Sequence, residues 1–95
     1  MGYMLDQIGE PAMYEQLAEE CTELAKAALK MARIIRNENP TPMTATEAQD
    51  AIIEEYTDVE ICASELGYYP SHTIAVCKTD RFKQRWEEAH HAGES

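Results

Sequence analysis

The chain has 95 residues, a formal net charge of −10, 44% hydrophobic residues and only four Gly and four Pro. One helical globular domain follows from that length and composition, and the acidity excludes non-specific nucleic-acid binding, which needs Lys and Arg facing phosphates. No apolar run approaches the roughly 18 residues of a membrane span.

Residues 1–11 hold Gly2, Gly9 and Pro11 and read as an irregular arm or a short helical turn. Residues 12–36 contain no Gly or Pro and are rich in strong helix formers. Their apolar positions, Met13, Leu17, Cys21, Leu24, Ala28, Met31 and Ile35, recur at spacings of 3 and 4 and predict one buried stripe. Asn37 to Met43, with two prolines, is a connector. Thr44 and Glu47 form a capping box that starts a second helix over 44–66, with Ala48, Ile52, Tyr56, Val59, Ala63 and Leu66 on its stripe and Gly67 ending it. Tyr68-Tyr69-Pro70 is a corner. Ser71 caps a third helix over 71–90, whose apolar positions are Ile74, Cys77, Phe82 and Trp86, and the last residues fray. The expectation is all-α: an antiparallel helical bundle of three main helices per chain, assembling into a four-helix-type core by oligomerisation. A chain this small buries only about two-thirds of its unfolded surface, and oligomerisation is a common remedy.

Cys21, Cys62 and Cys77 are widely spaced, with no CxxC and no zinc-finger spacing, which fits a reduced, cytoplasmic setting with each thiol as a small buried apolar group. No signal peptide is evident. His72, His90 and His91 show no ligand spacing.

Leu17-Ala-Glu-Glu-Cys-Thr-Glu-Leu24 resembles Ile52-Ile-Glu-Glu-Tyr-Thr-Asp-Val59 at an offset of 35 residues, with six of eight positions identical or chemically close. Glu20 and Glu23 are three apart and share a helix face, displaced to one side of the stripe of Leu17, Cys21 and Leu24. Glu55 and Asp58 have the same displacement from Ile52, Tyr56 and Val59. If the stripes pack with the helices antiparallel, as a short connector favours, both acid pairs fall on one side. They also lie at nearly the same height at about 1.5 Å per residue. Four carboxylates so gathered repel one another, and a hard cation with oxygen ligands relieves this. With no histidine or thiolate at ligand spacing, Mg²⁺ or Mn²⁺ is indicated. Taken singly, either acid pair reads equally as a solvated helix face. Lys26, Lys30 and Arg33 are expected to point away from the acids into solvent.

The ordered pair EExxE, here Glu19-Glu20-Cys21-Thr22-Glu23, and ExxD, here Glu55-Tyr56-Thr57-Asp58, resembles the MazG-like all-α NTP pyrophosphohydrolase superfamily over residues 12–90. The resemblance implies cleavage of a nucleoside triphosphate to the monophosphate and pyrophosphate by a homodimer or homotetramer. It implies Glu20, Glu23, Glu55 and Asp58 as Mg²⁺ ligands. Glu19 would orient the attacking water or assist a second metal. Lys78, Arg81 and Arg85, spaced 3 and 4, resemble the family's basic motif after the ExxD helix, although its recurrent Asn is not evident here. That basic face would meet the phosphates, and its other reading is a solvated stripe pairing with Glu87 or Glu88. Tyr68, Tyr69 and Trp86 are available to stack on a base, with core or interface packing as their first role. The expected function is therefore Mg²⁺-dependent NTP or dNTP pyrophosphohydrolysis. Its rivals are a nucleotide-sensing or regulatory helical oligomer without turnover and a purely structural oligomer.

Overall fold

The computed structural model describes residues 2–38 and 42–91. The centre of the expected connector, residues 39–41, and the tail 92–95 lie outside the described residues. Among the described residues the regular structure is all helical: α1 (Tyr3–Ile8), α2 (Glu10–Arg36), α3 (Ala45–Glu65) and α4 (His72–His91). None is long and apolar enough to cross a membrane.

Local chemistry sets the boundaries. Gly9 adopts φ 89° between α1 and α2, a backbone conformation that side chains with a Cβ rarely take. Pro11 sits in the first turn of α2, where its missing N–H removes no helical bond, so α2 starts two residues before the expected position 12. Asn37, in the left-handed region at φ 56°, closes α2. Both arms of the capping box form: Thr44 Oγ1 accepts from the Glu47 N–H at 3.1 Å and Glu47 Oε1 accepts from the Thr44 N–H at 3.0 Å. Gly67 at φ 86° ends α3, and Ser71 Oγ accepts from the Ile74 N–H to cap α4. The arm expected at residues 1–11 is a six-residue helix. It is held from a distance: the Glu65 carboxylate accepts the Leu5 N–H at 2.9 Å, and a Cβ on Gly2 would collide with that carboxylate.

The α2–α3 pair is an antiparallel hairpin. Leu5 meets Glu65, Tyr14 meets Tyr68, Glu20 meets Asp58, and Ala27 shares a cleft with Ala48 and Ala51. Positions rise along α2 as they fall along α3. Met13, Ala27, Ala48 and Cys62 are its buried residues. The expected stripes are only half realised. Leu17, Leu24, Met31, Ile52 and Val59 are partly buried, but Cys21, Ala28, Ile35 and Tyr56 are exposed, Ile35 by 75%. The buried side of the pair takes in Gln16, Glu20, Glu23 and Ala27 of α2 and Glu55, Asp58 and Cys62 of α3 beside these apolar residues. A stripe spanning about 100° of a helix is wider than one neighbour covers. The small residues Ala27 and Ala48 set the close approach on the acid side. Tyr14, Cys21, Ala28 and Ile35, seven apart, are left as an open apolar line. The expectation that every cysteine is buried holds for Cys62 and fails for Cys21 and Cys77.

α4 packs against none of the other three helices, and every residue along it is exposed. Its four large apolar side chains, Ile74, Val76, Phe82 and Trp86, therefore belong to no core of this chain. The radius of gyration, 17.9 Å, records the projection of α4 from the hairpin, since a compact chain of this length has a value of about 12 Å.

Candidate metal centre

Glu20, Glu55 and Asp58, all partly buried, bring one carboxylate oxygen each within 4.8 Å of one another at the middle of the hairpin seam. Glu20 is steadied along its own helix by Gln16, whose Nε2 donates to Glu20 Oε1 at 2.9 Å. The two repeat segments also match in detail. Thr22 Oγ1 donates to the Ala18 carbonyl at 3.1 Å, and Thr57 Oγ1 to the Ile53 carbonyl at 2.7 Å. Each threonine thus satisfies its hydroxyl locally, one turn back.

Glu55 is the electrostatic centre of the cluster. Partial desolvation, then the charges of Asp58, Glu20, Glu23 and Glu54, push its carboxyl above the ordinary value. Cys62 lies buried in the same seam. Burial, reinforced by Glu20 and Asp58, pushes its thiol up. The groups whose ligand atoms converge are all carboxylates, the chemistry that suits a hard cation. Two oxygens on one Mg²⁺ lie at most about 4.2 Å apart with bonds near 2.1 Å. The observed spacing, within 4.8 Å, is close to that size.

Glu23 and Glu19 stand outside the triad. Glu23 Oε1 pairs with Lys26 Nζ at 3.4 Å, and both line a cleft of about 120 Å³ with Lys30, Ala27, Met43, Ala48, Ala51 and Glu55. Both lysines are exposed, as expected, but Lys26, three residues beyond Glu23 on the same face, turns toward that acid rather than away from it. Glu19 is exposed, one helical step round from Glu20. Sequence reasoning missed the contacts of Gln16 and Lys26, for which the i,i+4 relation of Gln16 to Glu20 and the i,i+3 relation of Glu23 to Lys26 were signals.

The structure does not bring the basic residues of α4 to this cluster. Lys78, Arg81 and Arg85 are exposed on a helix that packs against none of the other three. Tyr68 is engaged with Tyr14, hydroxyl to hydroxyl at 2.6 Å and ring to ring edge-on at 6.2 Å, and this hydrogen bond raises the Tyr14 phenol above its ordinary value. Tyr68 and Tyr69 line an apolar cleft of about 520 Å³ with Tyr56, Glu60, Ile61 and Pro70, which shares no residue with the acid triad. Trp86 stacks on His90 at 3.8 Å, and His90 Nδ1 lies 2.8 Å from the Trp86 carbonyl oxygen. Comparison with protein families, with curated proteins and with solved structures finds no match to this chain.

Proposed function

We propose that this chain is a Mg²⁺-dependent nucleoside triphosphate pyrophosphohydrolase of the MazG-like kind, cleaving an NTP or dNTP to the monophosphate and pyrophosphate. The observation that carries the reading is the meeting of Glu20, Glu55 and Asp58, drawn from both halves of the internal repeat. These three would hold Mg²⁺, with Mn²⁺ as a substitute, and Glu23 joins them when Lys26 releases it. Bound Mg²⁺ supplies Lewis acidity toward the triphosphate and lowers the pKa of a coordinated water. Glu19, outside the set, would orient the attacking water or serve a second metal. A carboxylate not committed to metal accepts the proton. Lys78, Arg81 and Arg85 neutralise the pyrophosphate only if α4 of another chain delivers them. Tyr68, Tyr69 and Trp86 are the aromatic candidates for the base. The working form is a homodimer or homotetramer in the cytoplasm, with two hairpins joined through the open line of Tyr14, Cys21, Ala28 and Ile35.

The test is pyrophosphate release from a panel of NTPs and dNTPs with Mg²⁺. Wild type should turn over at least one, and Asp58→Asn should abolish turnover with the helical signal intact. Near-normal activity in Asp58→Asn removes the metal assignment. The separation of α4 from the acids within one chain favours the second reading, a nucleotide-sensing oligomer. That reading predicts metal-dependent nucleotide binding with no pyrophosphate released.

A further inference from the structure

We propose that α4 is an exchanged arm: it seats in the Tyr56–Ile61–Tyr69 groove on α3 of a second copy of this chain, and the second copy returns its own α4. The proposal concerns assembly alone: the groove lies on the side of α3 turned away from the acids, so an arm seated there would not bring Lys78, Arg81 and Arg85 to the triad.

The arm comes first. At 100° per residue, Ala75, Phe82, Trp86 and Ala89 fall on one side of α4, with Ile74 at its margin. Lys78, Arg81 and Arg85 flank this apolar strip on the Ile74 side, with Glu88 beside Arg81 and Arg85, whereas Asp80 and Glu87 occupy the far side. Phe82 is 68% and Trp86 58% exposed, Trp86 meeting only the His90 ring of its own helix, and none of the other three helices packs on either. Apolar surface of this kind marks an interaction face.

The acceptor is the outer side of α3. By the same period, Ile53, Tyr56, Thr57, Glu60, Ile61 and Ser64 turn away from the acid seam. The C-terminal part of this side, with Tyr68, Tyr69 and Pro70, forms the apolar cleft of about 520 Å³. Its surroundings are acidic: Asp50, Glu54 and Glu60 are exposed on α3. Charge is complementary on the larger scale as well. Residues 10–66 carry 13 acids against four Lys and Arg, and α4 carries four Lys and Arg against three acids. A basic, apolar arm and an acidic, apolar groove are thus both open in one molecule. The elbow at Gly67 to Pro70 carries the arm away from its own groove, and a second copy satisfies both at once. Reciprocal exchange of an identical element is a low-cost route to a dimer. The exposed parts of the four aromatic rings of two arms supply roughly 500 Å². With Ile74, the two alanines and the matching groove surfaces, the total reaches the roughly 1,200 Å² at which specific interfaces begin.

The experiment uses the full chain and two variants, Phe82→Asp in the arm and Ile61→Asp in the groove, followed by light scattering after gel filtration. Wild type should run as a dimer or a multiple of it, with Trp86 fluorescence blue-shifted relative to either variant. Each variant alone should lose the exchange contact and drop by a factor of two in mass. Mixed one to one, the variants should reassociate, because a heterodimer retains one intact arm in one intact groove. A monomeric wild type, a variant that keeps the wild-type mass, or a mixture that stays dissociated would each overturn the proposal. So would loss of helical signal in Phe82→Asp, since that would place Phe82 in a core of its own chain.

Discussion

The carboxylate triad makes a prediction that needs no substrate. In the metal-free chain, Glu20, Glu55 and Asp58 repel one another within 4.8 Å, so a cation that binds them should stabilise the fold. At ten times its dissociation constant, a ligand specific for the folded state adds about 1.4 kcal/mol. For a domain of this size that is a rise in Tm of about 6–11 °C. Glu20→Gln keeps the shape and removes one of three charges. Replacing a group that merely supports a metal ligand weakens binding about 10–100-fold, so loss of a ligand should exceed that. At the same Mn²⁺ or Mg²⁺ concentration the variant then gains under about 0.1 kcal/mol, a shift below about 1 °C. In EDTA, Glu20→Gln should melt no lower than wild type. Glu19→Gln, outside the triad, should keep the full metal response. Thermal melts by circular dichroism of the three chains with and without metal read all six states. A Glu20→Gln chain that retains the wild-type metal shift, or that melts well below wild type in EDTA, refutes the site.

Three further outcomes follow from the same coordinates. Met13→Ala empties the largest fully buried side-chain position and should cost about 2–5 kcal/mol, a fall in Tm of roughly 10 °C or more that a melt would detect. Thr44→Ala removes one arm of the capping box and should lower stability by about 1 kcal/mol in urea titrations while leaving the metal response unchanged. Glu55 has a raised carboxyl pKa. Its contribution to stability is therefore fully present below the ordinary carboxylate value and is lost as pH rises through the raised one. In EDTA, wild type should lose more stability than Glu55→Gln between about pH 4.5 and pH 7. Metal should reverse this trend in wild type, because it binds the ionised triad.

Much of this fold is local and was therefore legible. Thr44 with Glu47, Gly67 and Ser71 each act within four residues, so the boundaries of α3 and α4 could be read directly. α1 could not be fixed in the same way, because Glu65 secures it from 60 residues away. The apolar stripes were correct in position and ambiguous in use. Their period does not say which edge of a stripe meets the partner helix. Three of the four acids converge as the repeat implied. Glu23 departs because Lys26 competes for it, a pair weighed by the 3.4 Å contact rather than by motif. The isolation of α4 is a property of packing and left no mark in its helical pattern.

The displacement of the seam toward the acids ties the candidate site to assembly. A hairpin built only for stability would turn Leu17, Cys21, Leu24 and Ala28 toward Ile52, Tyr56 and Val59, leaving the carboxylates in water. In this chain α2 and α3 are rotated so that Glu20, Glu55 and Asp58 lie in the contact line above Cys62, which gives up apolar burial and adds repulsion. The same rotation turns Cys21, Ala28 and Ile35 outward. One helix orientation therefore has two consequences: a carboxylate cluster that a cation would stabilise, and an uncovered apolar line that a second hairpin would bury. Neither alone explains why only four of the hairpin's described residues are buried. Together they account for a chain whose fold is left incomplete by itself. On this view, metal binding and association should reinforce each other. Ile35→Asp should weaken self-association and, by linkage, lower Mn²⁺ affinity, although Ile35 lies about 22 Å along α2 from Glu20 at 1.5 Å per residue. Titrating Mn²⁺ at protein concentrations above and below the association midpoint would measure that coupling. Equal affinities at both concentrations would show that the site and the apolar line are independent.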